Sequence, residues 1–152
     1  MGGQASIAAV KGFRDVLPNE SRLWRQLEAT AAEVFARHDF QPLVLPVVER
    51  SELFARSLGE GTDVVEKEMY TFEYRDGTML TLRPEATAST VRAYMESGLG
   101  ARGQAARFWY AGPMFRRERP QRGRYRQFHQ LGVEAFGQDE PIVDAEILVM
   151  LM

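Results

Sequence analysis

Apolar residues recur every three or four positions from Leu23 through Leu27, Ala31 and Val34, and Trp24 and Phe35 widen the same stripe. That period predicts an amphipathic helix running to about Arg37 with its stripe packed into a core. The preceding "KGFRDVLPNES" is a loop punctuated by glycine and proline, which leaves Asn19 or Ser21 to cap the helix. After "HDF", the run "QPLVLPVVE" is β-rich but interrupted by Pro46. A proline removes one ladder donor, so this stretch belongs at an edge, at a bulge or at an interface between chains. "SELFARSL" predicts a short helix and "GEGTD" a flexible turn. Two runs of period two, "MYTFEY" and "TMLTLR", then flank Asp76-Gly77, a strong hairpin signal.

"PEATASTVRAYMES" predicts a helix with Pro84 in its first turn, "ARFWYAGPMFR" and "YRQFHQLGVEAF" predict two long strands, and Pro141 opens a last helix. Successive hairpins interspersed with helices predict an α+β fold, an antiparallel β-sheet flanked by helices. Residues 1–10 read as a flexible leader and 11–152 as one folded unit. Apolar residues continue to the last position in "ILVMLM", so the expectation is a piece of a longer chain.

Composition alters this picture only locally. The 152 residues are ordinary in apolar and charged content and carry a net charge of -2, which argues against wholesale coating of nucleic acid but permits a local patch. Cysteine is absent, which excludes disulfides and thiolate chemistry and suits a reducing, cytoplasmic setting. No run of 18 apolar residues suggests a membrane span. Of 19 basic residues only Lys11 and Lys67 are lysines. Arginine suits fixed, bidentate contacts to phosphate or carboxylate.

Six of those arginines fall between Arg116 and Arg126. Strand alternation puts Arg126, Phe128, Gln130, Gly132 and Glu134 on one face, and Gln127, His129, Leu131, Val133 and Ala135 on the other, toward the helices. The first face offers a cation, an aromatic ring, an amide, a gap and a carboxylate in succession. Phe128 is either a stacking platform or a ring half covered by the arginine loop. Pairing across 117–124 would bring Arg116 near Phe128, with Arg119, Arg122 and Arg124 on a loop able to close over an anion. "TLRPEAT" supplies Arg83, then Glu85 and Thr87 at a helix start. Glu85 is either a favourable helix charge or, with Gln130 and Glu134, part of a site for an ammonium and a second polar group. Neither GxxxxGK[ST] nor GxGxxG occurs, and two histidines without cysteine make a poor case for zinc.

"KGFRDVLP", "LPVVERSELFARSLGEGTDVVEKEMYTF", "LTLRPEATASTVRAYME" and "WYAGPMFRRERPQRGRYRQFHQLGVEAFG" resemble the amino-terminal part of the catalytic domain of histidyl-tRNA synthetases, which are class II aminoacyl-tRNA synthetases. The resemblance begins near Lys11 and is most specific in the last segment. It implies a truncated class II catalytic core in which "LVLPVVE" and the next helix form motif 1, the homodimer interface. It further implies that Glu85, Thr87, Gln130 and Glu134 bind the substrate histidine. Arg116 would be the catalytic motif 2 arginine that meets the ATP α-phosphate and the histidine carboxylate, with Glu118, Arg124 and Phe128 binding ATP. The family's "RPEGT" stands here as "RPEAT", with Ala86 adding a methyl but replacing no ligand. The motif 3 arginine, a second histidine-binding segment with its catalytic arginine, and the anticodon-binding domain would lie beyond residue 152.

The implied activity is ATP- and Mg²⁺-dependent formation of histidyl-adenylate and transfer of histidine to tRNA(His), with no residue of this chain expected as a metal ligand. The alternative is a non-catalytic, histidine-binding regulatory paralogue acting with ATP phosphoribosyltransferase in histidine biosynthesis. Retention of Arg116, Glu118, Arg124 and Phe128 together favours the ligase.

Overall fold

Two ten-residue strands, β5 (Ala106–Phe115) and β6 (Gln127–Phe136), form an antiparallel hairpin whose register runs from Ala106↔Phe136 to Phe115↔Gln127. The computed structural model describes residues 7–59, 62, 68–119, 121 and 123–150. A two-residue strand, β1 (Gln41–Pro42), adds to β5 in parallel, and the Leu43 N–H extends the pairing to the Trp109 carbonyl at 2.8 Å. A second sheet has the order β2 (Val48–Arg50), β4 (Met79–Leu82), β3 (Tyr70–Glu73), all antiparallel. The α+β class with mainly antiparallel pairing is as expected. The strands divide between two sheets because Pro46 breaks the run between β1 and β2, which sends the two pieces to different partners.

Among the described residues four helices complete the order: α1 (Pro18–Arg37), α2 (Ser51–Leu58), α3 (Thr87–Glu96) and α4 (Pro141–Met150). Helix α1 begins at Pro18, after Leu17, with no side-chain cap, so neither Asn19 nor Ser21 takes that role. Pro18 lacks an N–H to satisfy, which makes it a natural first residue. The expected stripe is also displaced. Leu23 and Leu27 are 66% and 49% exposed, whereas Trp24 packs on His129 and Phe35 on Phe40 and Trp109. The aromatic residues, having the larger apolar surface, set which face of α1 meets the sheet. The Trp24 and Trp109 contacts put α1 on the face of the hairpin that carries the 127/129/131/133/135 set, as alternation predicts.

At the β3–β4 turn, the Gly77 N–H donates to the Tyr74 carbonyl and the Thr78 N–H to Asp76 Oδ1, both at 2.9 Å. Between α2 and α3 lies a core of Phe54, Met69 and Ala88. Pro84 does not open α3. It is fully buried ahead of the helix, and Glu85 takes over the capping by accepting the Thr87 and Ala88 N–H groups with its carboxylate. Residues 7–10 are irregular and exposed, while 1–6 and most of "GEGTD" lie outside the described residues. No described helix is long and apolar enough to cross a membrane.

Candidate active site

The face of the hairpin turned away from α1 carries Tyr110, Gly112 and Met114 on β5 opposite Gly132, Gln130 and Phe128 on β6. Tyr110 and Met114 join Leu45 and Ala86 in a buried cluster, against which Phe128 packs. The floor of the face is therefore largely apolar, with polar groups at its two ends and Gln130 between them.

At the loop end, Arg116 follows β5 directly and its guanidinium lies 5.3 Å from the centre of the Phe128 ring. Its Nε donates to the Pro84 carbonyl at 2.9 Å, which fixes the stem of the side chain and leaves the other guanidinium nitrogens for a ligand. Arg116, Glu118, Gly123, Arg124, Tyr125 and Phe128 line one cavity of about 310 Å³. Arg124 Nη1 donates to Glu118 Oε2 at 3.2 Å across this cavity. All four residues expected at the nucleotide thus converge, and Phe128 presents a ring that is half-buried rather than hidden. Arg119 is exposed, and Arg122 lies outside the described residues.

The base of the loop is pinned by the segment before α1. The Arg126 N–H donates to the Gly12 carbonyl at 2.8 Å, and Arg126 Nη1 reaches the Lys11 carbonyl at 3.2 Å. Arg126 is thus a strut beneath the cavity, although alternation placed it on the ligand face.

At the other end of the face, Thr87 Oγ1 donates to Glu134 Oε1 at 2.7 Å. Burial pushes the Glu134 carboxyl above its ordinary pKa; hydrogen bonds from Thr87 and Tyr110 pull it back, and the nearby Glu85 charge adds to the rise. Burial also raises the Tyr110 phenol, with the Glu134 charge reinforcing it. A cation placed beside Glu134 would offset both its burial and the neighbouring Glu85 charge. Gln130 Oε1 is buried on the same face with no hydrogen-bond partner, an acceptor that suits an N–H donor. Glu85, Thr87 and Glu134 therefore gather at one end, with Gln130 on the same face between them and Phe128.

Tyr110 was not anticipated from the sequence. The signal was its cross-strand partner: a Cβ on Gly132 would lie 2.4 Å from Tyr110 Cζ, so the glycine is the slot that admits the phenol. Among the described residues no group of three or more His, Asp or Glu is arranged to hold a metal ion.

Comparisons with known proteins accord with this geometry. The family described as "Histidyl-tRNA synthetase" matches residues 12–152. A "Histidine--tRNA ligase" of Trichlorobacter lovleyi is 55% identical over 146 residues, 96% of this chain and 35% of that protein. Another, of Desulfosudis oleivorans, is 57% identical over 143 residues, 94% of this chain and 34% of that protein. The chain spans about a third of the length of the curated relatives it matches. Among solved structures, apo S. aureus histidyl-tRNA synthetase superposes with a TM-score of 0.79 at 38% identity, covering 97% of this chain and 33% of that one. A Bacillus halodurans protein titled "ATP phosphoribosyltransferase regulatory subunit/histidyl-tRNA synthetase" shares the fold, with a TM-score of 0.80 at 23% identity over 95% of this chain and 36% of that one. With its α+β core of class II type, this chain belongs to the histidyl-tRNA synthetase family.

Proposed function

We propose that residues 11–152 form one wall of the histidine-activating site of a histidine–tRNA ligase, carrying its motif 1 and motif 2 regions. The observation that carries this reading is the convergence of Arg116, Glu118, Arg124 and Phe128 on one cavity at the end of the face that also holds Glu134 and Thr87. Adenine stacks on Phe128, on the side of the ring that Arg116 leaves free. Arg116, oriented by the Pro84 carbonyl, meets the α-phosphate and the histidine carboxylate. Arg124 exchanges its contact with Glu118 for phosphate oxygens. Glu85, Thr87, Gln130 and Glu134 receive the α-ammonium and imidazole of histidine, with the raised proton affinity of Glu134 suited to a donor N–H.

The reaction is an in-line attack of the histidine carboxylate on the α-phosphate, so the chain's task is positioning and charge neutralisation rather than proton transfer. Mg²⁺ bound to the ATP phosphates would supply further neutralisation. Histidine then passes to tRNA(His). The stretch "QPLVLPVVE", with Val44 96% exposed and Val47 and Val48 partly so, serves as the interface of a cytoplasmic homodimer.

Histidine-dependent pyrophosphate exchange, measured beside a full-length histidine–tRNA ligase, tests the assignment together with separate ATP and histidine titrations. The chain is expected to bind both ligands and to exchange feebly, because its cations meet the phosphate from one side only. Exchange within about tenfold of the full-length rate would overturn that account of the catalytic charge. Histidine binding without any ATP binding would support the regulatory reading instead, and binding of neither ligand would refute both.

A further inference from the structure

Arg83 is 4% exposed and makes no ion pair among the described residues; the Glu49 carboxylate whose charge reaches it is itself bonded to Arg92. Burial lowers the Arg83 pKa from the arginine range, yet a guanidinium stays charged under such a pull. Such a group is costly unless its donors are satisfied. Arg83 gives two of its three nitrogens main-chain carbonyls: Nη1 donates to Leu45 O at 3.0 Å and to Pro46 O at 3.3 Å, and Nε to Pro113 O at 3.0 Å. Leu45 and Pro46 lie between β1 and β2, where no ladder pairs their carbonyls, so the guanidinium stands in for a strand. The backbone of Arg83 ties the same segments, its N–H donating to Val47 O at 2.9 Å and its carbonyl accepting the Phe115 N–H at 3.0 Å. The next carbonyl along, that of Pro84, is the one that receives Arg116 Nε. Gly112 makes the room: a Cβ there would lie 2.4 Å from Arg83 Nη2.

We propose that Arg83 is a positioning residue for Arg116, holding the 83–84 and 113–115 segments against the 45–47 segment so that the Arg116 guanidinium is presented to the nucleotide. Arg83 touches no substrate. It makes the placement of Arg116 depend on the same 45–47 stretch that the dimer reading puts at the interface, so a shift in that stretch reaches the phosphate site through one side chain. This inference rests on the assignment of ATP to the Arg116 cavity.

The experiment is calorimetric titration of the chain with Mg²⁺–ATP, with circular dichroism to confirm folding. In Arg83→Lys the cation remains, but a single ammonium cannot bridge the Leu45 and Pro113 sides together. ATP affinity is expected to fall about tenfold, the consequence of moving Arg116 by a fraction of an ångström. Gly112→Ala, which keeps Arg83 but pushes on its guanidinium, is expected to reproduce the loss and carries the test if Arg83→Lys does not fold. In an Arg116→Ala background, Arg83→Lys should change affinity less than about twofold, because a residue that acts only through Arg116 has nothing left to act on. Unchanged affinity in the single variants, or the same tenfold loss with Arg116 already removed, would overturn the positioning role. A wild-type chain that binds no ATP would overturn the nucleotide assignment itself, and that result is read before any variant is compared.

Discussion

Gly132→Ala places a methyl group where the structure has none to spare. The new Cβ would lie 2.4 Å from both Cζ and Oη of Tyr110 and 2.8 Å from Cε2, against an ordinary contact distance beyond about 3.4 Å. The phenol must therefore withdraw by roughly 1 Å. Tyr110 is only 6% exposed and is packed with Leu45, Ala86 and Met114, so its retreat compresses a filled cluster. Overpacking of this kind costs about 1–3 kcal/mol. For a chain of this size that corresponds to roughly 2–12 °C in melting temperature, at about 2–4 °C per kcal/mol. Because Tyr110 and Glu134 interact, the same displacement loosens the end of the face proposed for histidine, and histidine affinity is expected to fall with ATP affinity little changed. Urea denaturation and calorimetry with each ligand check both halves. The cause is isolated in a Tyr110→Ala background, where the methyl meets empty space and should cost less than about 0.5 kcal/mol. Equal destabilisation in the two backgrounds, or wild-type stability in the single variant, would refute the steric account.

Phe128→Ala should weaken ATP binding by about 1–3 kcal/mol while leaving histidine binding nearly unchanged, by calorimetry; equal ATP affinity would make the ring merely structural. Glu134, whose folded carboxyl pKa is raised by burial, favours folding below the ordinary glutamate pKa and loses that contribution as pH rises through its folded value. Glu134→Gln is therefore expected to raise the melting temperature at pH 7 relative to pH 4 while weakening histidine binding, and a lower melting temperature at pH 7 would contradict the sign. Val44→Glu alters a side chain 96% exposed and should change the stability of the monomer by less than about 0.5 kcal/mol, yet abolish dimerisation in sedimentation at micromolar concentration. A dimer that survives the substitution would move the interface elsewhere.

Periodicity carried the long elements. The β5–β6 pair, α2, α4 and the Asp76-Gly77 hairpin stand where alternation, apolar spacing and turn chemistry put them. Side chains whose role is set by a partner distant in sequence were less legible. Leu23 and Leu27 belong to the apolar stripe of α1, but rotation of the helix onto its aromatics leaves them outside. Pro84 has the composition of a first helical residue, and it was displaced because Glu85 supplies the two bonds that start α3. At the site, Arg116 and Phe128 were readable because both sit on one hairpin with a countable register. Tyr110 was not, nor was the buried placement of Arg83, since the glycines that admit them, Gly132 and Gly112, become meaningful only once the strands are paired.

The parallel pairing of β1 with β5 bears on the order in which the site is assembled. Connection 116–126 separates the hairpin strands, whereas Pro42 and Trp109 must meet across 43–108. Each doubling of a closed loop adds about 0.6 kcal/mol of chain entropy, and two and a half doublings separate these closures, so roughly 1.5 kcal/mol disfavours the longer one before any contact rewards it. Nucleation in the β5–β6 hairpin is the cheaper route, with β1 and the 45–47 segment arriving later. The cavity proposed for the nucleotide, whose lining runs from Arg116 to Phe128, then forms with the hairpin, and Arg116 gains its fixed orientation when Pro84 arrives. The end proposed for histidine needs Thr87, with Glu85 beside it, brought to Glu134 from 47 residues away. An early folding species is thus expected to own a nascent phosphate cradle before it owns any selectivity for an amino acid, a sequence of events that pulse-labelled hydrogen exchange would resolve as protection of β5 and β6 ahead of α3.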